Sequence, residues 1–204
     1  MQEIVNICKK EGVIIVSDKI HSDLTFKKHT PLPLIDGAKD ITIHLHSPSK
    51  SFNVAGLNDS YTIILNDSLK RAYKLKLASC GLEDGNIFSI EVLITAYSKC
   101  GYWVDEVKEY LLENKRFVVQ FLAENIPQIK AVDSEATFLL WLDCKGLNLT
   151  QKELQELFVN RVKLALNSGT DFGENGTGFM RLNIATSKEI LEEAINRLLM
   201  EVRG

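Results

Sequence analysis

One lysine stands where chemistry could be done. In His46-Ser47-Pro48-Ser49-Lys50-Ser51-Phe52-Asn53-Val54-Ala55-Gly56-Leu57, Lys50 follows a strand-like run and lies inside a loop of Ser, Asn and Gly. A lysine amine can attack a carbonyl and can serve as a base toward carbon. The hydroxyls of Ser47 and Ser49 and the small Gly56, which lets the backbone approach closely, suit a phosphate. The competing reading is a solvated loop charge, since most lysines are exposed. Against it stands Ile41-Thr42-Ile43, which reads as a buried strand delivering the loop to a sheet edge.

Three further groups carry possible chemistry. Val13-Ile14-Ile15-Val16 is a continuous β-branched run that predicts a parallel strand buried on both faces, and Asp18 stands where it ends. Ligands of open α/β sheets bind beyond the carboxyl ends of strands, although an aspartate there also reads as a simple loop or cap residue. Arg181 sits on an Ile/Leu/Met-rich strand, where a guanidinium needs either a structural partner or a ligand. His44 and His46 lie two apart, hence on one strand face, and with His21 and His29 they raise the question of a metal. No Cys or paired carboxylate completes a ligand spacing, so no metal is expected.

Amine plus phosphate suggests pyridoxal phosphate, and Ser-Pro-Ser-Lys-Ser-Phe-Asn-Val-Ala-Gly-Leu resembles the Schiff-base lysine segment of fold-type I pyridoxal-phosphate enzymes. The resemblance is to the branch holding cystathionine beta-lyases, the carbon–sulfur lyases of the MalY/PatB type, and the related class I and II aminotransferases. It extends through residues 16–24 and 171–185 and covers the second half of such an enzyme. It implies that Lys50 holds the cofactor, that Asp18 pairs with the pyridinium nitrogen and that His21 approaches the phenolic oxygen. It further implies that Ser47 and Ser49 contact the phosphate and that Arg181 clamps the substrate carboxylate. Lys19 departs from the family's usual Glu, and His46 stands where small residues are usual.

Composition narrows the alternatives. With 204 residues, 45% hydrophobic and 25% charged, the chain can bury a sizeable core in one large or two small domains. A net charge of -3 offers no basic stripe for nucleic acid. The longest apolar run, residues 138–142, is far short of the ~20 residues that span a bilayer, and no signal-peptide segment opens the chain, so a cytoplasmic protein is expected. Cys8, Cys80, Cys100 and Cys144 lack CxxC spacing and read as reduced, mostly buried thiols.

The elements that must position these groups follow from periodicity. A helix is predicted over residues 1–10, strands over 13–16, 41–46 and 61–65, and helices from Asp67 to Asn125, broken at Gly81, Gly85 and Gly101 and ended by Pro127. Aromatic residues in the long helix, Tyr102 and Trp103 included, read as core. Strands are then predicted at 137–142, 162–166 and 178–185, with a capping box at Thr150 and Glu153 and a final amphipathic helix capped by Thr186 or Ser187.

The expected organisation is α/β. The resemblance implies a partial large-domain parallel sheet over residues 1–100, a long linking helix over 101–127 and a small α+β domain over 128–204. The implied activity is beta-elimination from cystathionine or cysteine-type amino acids by a homodimer. An aminotransferase is the close rival, and a truncated, catalytically incomplete remnant the rival of another class.

Overall fold

The computed structural model describes residues 1–83 and 85–203, in two units, Met1–Glu106 and Val107–Gly204. In the first, α1 (Gln2–Lys10) carries Glu3 in its first turn and Lys9 and Lys10 in its last, the polarity its dipole favours. Its Val5 is buried with Leu32 and Ala38, and Ile15, Ile35 and Ile41 pack around them. This small cluster fastens α1 to a three-stranded sheet of β1 (Ile15–Asp18), β2 (Thr42–His46) and β3 (Tyr61–Ile64), in that order.

β1 and β2 are parallel, with Asp18 opposite Leu45, as a β-branched run followed by a long connection favours. β3 is antiparallel to β2, with His44 opposite Ile63, so the partial sheet, expected as parallel, also carries one antiparallel pairing. The reason lies in residues 47–60, which fold into turns rather than a crossover helix and so return the chain in the opposite direction. β1 also departs from expectation in burial. Val16 is 60% exposed, because β1 is the sheet's edge strand and has only one covered face.

Three helices follow. α2 (Asp67–Ser79) is capped by Asn66, whose side chain accepts from the Leu69 N–H, and α3 (Ile87–Lys99) by Asn86, which accepts from Phe88. α4 (Gly101–Asn125) continues into the second unit and stops before Pro127. Tyr102 and Trp103 are not core residues: they are 63% and 42% exposed, since the first turn of α4 has little packed over it within its unit. Nor are the thiols mostly buried, for Cys144 alone is buried and Cys80 is exposed.

The second unit is an antiparallel sheet of β4 (Lys130–Ala131), β5 (Leu139–Asp143), β7 (Phe179–Asn183) and β6 (Asn167–Ser168), in that spatial order, with helices α5 (Gln151–Glu156) and α6 (Lys188–Arg203). Alternation along β5 and β7 buries Leu140, Leu142, Met180 and Leu182, and one stripe of α6 buries Leu191, Ala194, Ile195 and Leu198. Thr150 caps α5 as a full capping box with Glu153, and those bonds hold the Glu153 carboxyl below its usual range. Asn114 of α4 donates to the carbonyls of Ile184 and Thr186, and Lys115 to Asp133 and Ser134.

The strand expected over residues 162–166 does not form. α5 continues as a wider helical turn, Leu157–Arg161, and Lys163 takes a left-handed φ of 59°, which breaks an extended run. Val162 is buried all the same, because its N–H bonds back to Leu157 O and keeps it under the helix.

Candidate active site

Parallel pairing brings the carboxyl ends of β1 and β2 to one edge of the sheet. Asp18, the last residue of β1, and the Lys50 loop that follows β2 therefore emerge together. Asp18 is exposed; one carboxylate oxygen accepts from the Ile20 N–H at 2.9 Å and turns the chain toward His21, leaving the other oxygen unclaimed among the described residues. Lys50 is half-buried, and among the described residues its amine has no hydrogen bond or ion pair. An uncommitted amine and an uncommitted carboxylate oxygen are what a ligand at this edge would meet.

The loop is built from its own bonds. Phe52 N–H donates to Pro48 O at 2.9 Å and Val54 N–H to Ser49 O at 3.1 Å, so Lys50 rides on a tight turn. Ser47 accepts from the Ser49 N–H at 3.1 Å and spends its own proton on Asp59 O at 2.7 Å. Its expected phosphate contact would therefore require breaking a short internal bond. The Ser49 hydroxyl is unengaged among the described residues. Gly56 lies in the turn Ala55–Leu57 with open space where a Cβ would stand. Asn53 and Asn58 take the left-handed positions.

Electrostatics at this edge favour neutral imidazoles. His44 is 2% exposed with an unbonded Nε2, and burial, followed by the charges of His46 and Lys19, pushes its pKa down. His46 is also lowered, chiefly by burial, and stacks on Tyr61 at 5.1 Å. Lys19 lies 2.8 Å from His29 Nε2, and partial burial lowers its pKa. Among the described residues no three His, Cys, Asp or Glu side chains converge as metal ligands.

Arg181 belongs to the second unit, on β7 between Trp141 of β5 and Asn167 of β6. It donates to Asn167 Oδ1 at 2.8 Å and lies over the Phe172 ring at 4.5 Å, while its Nε is buried and unbonded. The loop before it is held by Gly169 and Gly176, whose backbones approach so closely that a Cβ on either would overlap the other's carbonyl. One Nη of this guanidinium is spent on Asn167 and its Nε is buried, so a carboxylate would have to meet the other Nη or displace Asn167.

Residues 1–198 match the model of the family described as aminotransferase class I and II. The chain belongs to that family. Among curated relatives, cystathionine beta-lyase PatB of Bacillus subtilis is 40% identical over 196 residues, spanning 94% of this chain and 50% of PatB. An aspartate aminotransferase of Pyrococcus horikoshii is 28% identical, spanning 98% of this chain and 51% of its own. Cystalysin of Treponema denticola, whose crystal structure contains pyridoxal 5'-phosphate, superposes with a TM-score of 0.95 at 29% identity, over 99% of this chain and 52% of that one. The chain thus spans about half the length of the relatives it matches, and its fold is the corresponding part of the aminotransferase fold.

Within that family fold, four residues with no role at the site assigned from sequence gather around the lysine turn. Asp23 Oδ2 accepts from Ser51 Oγ at 2.8 Å and lies 3.4 Å from the Tyr97 hydroxyl, and Trp103 Nε1–H donates to Ser51 O at 3.1 Å. Asp23 sits in the matched segment 16–24, but its target lies far along the chain, so spacing gave no signal. Burial, with smaller contributions from Tyr61 and Asp23, raises the Tyr97 pKa well above its usual value and keeps that hydroxyl protonated as a donor.

Proposed function

We propose that this chain is the lysine-bearing part of a pyridoxal-phosphate-dependent carbon–sulfur beta-lyase acting on cystathionine or cysteine-type amino acids. The observation that carries the reading is the uncommitted Lys50 amine at the sheet edge it shares with Asp18. Identity to a cystathionine beta-lyase supports the substrate class. The residues fit the cofactor chemically: an amine for its aldehyde, a carboxylate for its ring nitrogen and the Ser49 hydroxyl for its phosphate.

When bound, pyridoxal phosphate supplies an electron sink for charge developing at the substrate's α carbon. Lys50 would hold the cofactor through its aldehyde and, once free, would serve as the base whose Nζ takes the substrate's α proton. Asp18 would hold a proton on the ring nitrogen, and His21 would serve the phenolic oxygen. Ser49 donates to phosphate, joined by Ser47 if it releases Asp59 O. Arg181 takes the substrate carboxylate in this reading, on the strength of the resemblance. Loss of the thiolate followed by hydrolysis yields thiol, pyruvate and ammonia. We place the protein in the cytoplasm, in keeping with its four free cysteines, and propose a homodimer, which would cover apolar side chains now open on the first unit.

Similarity to an aspartate aminotransferase favours a second reading, in which Lys50 returns the proton to the cofactor. Products separate the two: pyruvate and thiol without added keto acid mean lyase, and keto-acid-dependent amino transfer means aminotransferase. A third reading, an incomplete remnant, is separated by the lysine itself. With pyridoxal phosphate added, borohydride should fix a label on Lys50 ahead of other lysines, and Lys50→Ala should abolish the associated absorbance band. Asp18→Ala should weaken the complex by about 1.5–3 kcal/mol, the range for a hydrogen bond to a charged group. Labelling spread over many lysines and unchanged by Lys50→Ala would sink the cofactor reading.

A further inference from the structure

We infer that Asp23 is a positioning residue that holds the Lys50 turn against the segment carrying Asp18 and His21; this rests on the cofactor reading above. The two segments leave different strands, and the backbone bonds of the lysine turn are internal to it: Phe52 to Pro48, Val54 to Ser49 and Leu57 to Val54. Such a turn, bonded along its backbone only to itself, shifts and opens more readily unless something outside it holds it. Asp23 supplies a cross-link. Its carboxylate accepts the proton of Ser51, the residue next to Lys50, at 2.8 Å, and Ser51 is 1% exposed.

Two aromatic donors hold this link in place. The Tyr97 hydroxyl of α3 lies on the same carboxylate oxygen, and the Trp103 indole of α4 donates to the Ser51 carbonyl. Phe52 and Tyr61 each meet the Tyr97 ring edge-on, at 5.3 and 5.8 Å, so the tyrosine packs against both the lysine turn and β3. A charged acceptor shared by donors from two elements is stronger than a neutral one and more directional than packing. The consequence is a Lys50 backbone registered to the strand end that carries Asp18. A carboxylate that merely closed its own loop would have no bond to residue 51.

The test uses the full chain with Asp23→Ala, Ser51→Ala, the double variant and Asp23→Asn. Pyridoxal phosphate is the probe, and borohydride-fixed label at Lys50 is read by peptide mass spectrometry as a ratio to label at Lys70 on exposed α2. Each alanine variant should lower that ratio about tenfold, the scale of a lost hydrogen bond to a charged group, and the double variant should fall no further than either single. Asp23→Asn, whose amide oxygen still accepts, should recover most of the ratio. Hydrogen exchange without cofactor should quicken at the Phe52 and Val54 amides in the alanine variants while β5 is unchanged. A merely structural defect would instead raise exchange generally.

Unchanged ratios, or additive losses in the double variant, would overturn the inference. Wild-type protein that does not favour Lys50 over Lys70 would overturn the cofactor reading instead. Exchange then decides alone: faster exchange at Phe52 and Val54 sustains the anchoring, and unchanged exchange refutes it.

Discussion

The two units solve the burial problem differently. In the second, side chains from both sheet and helices close over one another, and Leu140, Phe158, Met180, Ile184, Ile195 and Leu198 are fully buried. In the first, among the described residues, Val5, Leu32 and Ala38 form a small cluster with partly buried neighbours and Leu24, Ile64 and Ala96 are buried besides, while Val16, Leu75, Ile87, Phe88 and Ile94 stand open. Yet the first unit holds Asp18, His21 and Lys50. Its candidate site is therefore registered by polar links such as Ser51–Asp23 more than by a packed core. The homodimer proposed above would cover part of these open apolar side chains.

The sharpest way to break this comparison is by truncating one phenylalanine in each unit. Phe158→Ala should cost the second unit about 3–5 kcal/mol, because the ring is wholly buried and its cavity cannot collapse. Phe88→Ala, at a ring 70% exposed, should stay within about 0.5 kcal/mol. Urea titration of single-tryptophan variants reads the units separately, with Trp103 reporting the first and Trp141 the second. Equal losses would mean that the first unit is better packed than its exposure implies.

A smaller effect is expected from a buried polar tie. Asn114→Ala removes two donors to the Ile184 and Thr186 carbonyls and should cost the second unit about 1–3 kcal/mol, with the Trp103 transition unmoved. Coupled transitions would show that the units do not unfold independently.

The smallest effect is set by pH, and it has opposite addresses in the two units. All four histidines lie in the first, and burial holds His29, His44 and His46 below the usual 6.5. A folded-state pKa below the unfolded one means that the unfolded chain takes up the proton first. That stability is complete above about pH 6.5 and is lost as pH falls through the folded values. In the second unit Glu153 and Glu189 are held below 4.5, so their contribution survives until pH falls below about that value. Between about pH 7 and 5 the Trp103 urea midpoint should fall while that of Trp141 stays level, and His44→Gln should flatten the fall. A level Trp103 midpoint would count against buried neutral imidazoles.

Legibility in the sequence followed the range of the interactions. The Thr150–Glu153 box and the Pro127 stop were readable because each is complete within a few residues. The Lys50 segment and Asp18 at its strand end were readable for the same reason. Residues 162–166 misled, since an alternating apolar pattern does not reveal that the Val162 N–H turns back onto Leu157 O in a continuing helical turn.

By itself the sequence determined the local elements and which side chains could do chemistry, because propensities, caps and functional groups are properties of short stretches. Tertiary structure alone decided the rest. Parallel pairing of β1 with β2 put Asp18 and the Lys50 turn on one edge, and the turn-rich return after Lys50 reversed β3. Ser47 was committed to Asp59, and Asp23, 28 residues from Ser51, was brought onto its hydroxyl. Each of these depends on which distant partner arrives first at a given donor or edge, and that choice is made by packing rather than by spacing along the chain.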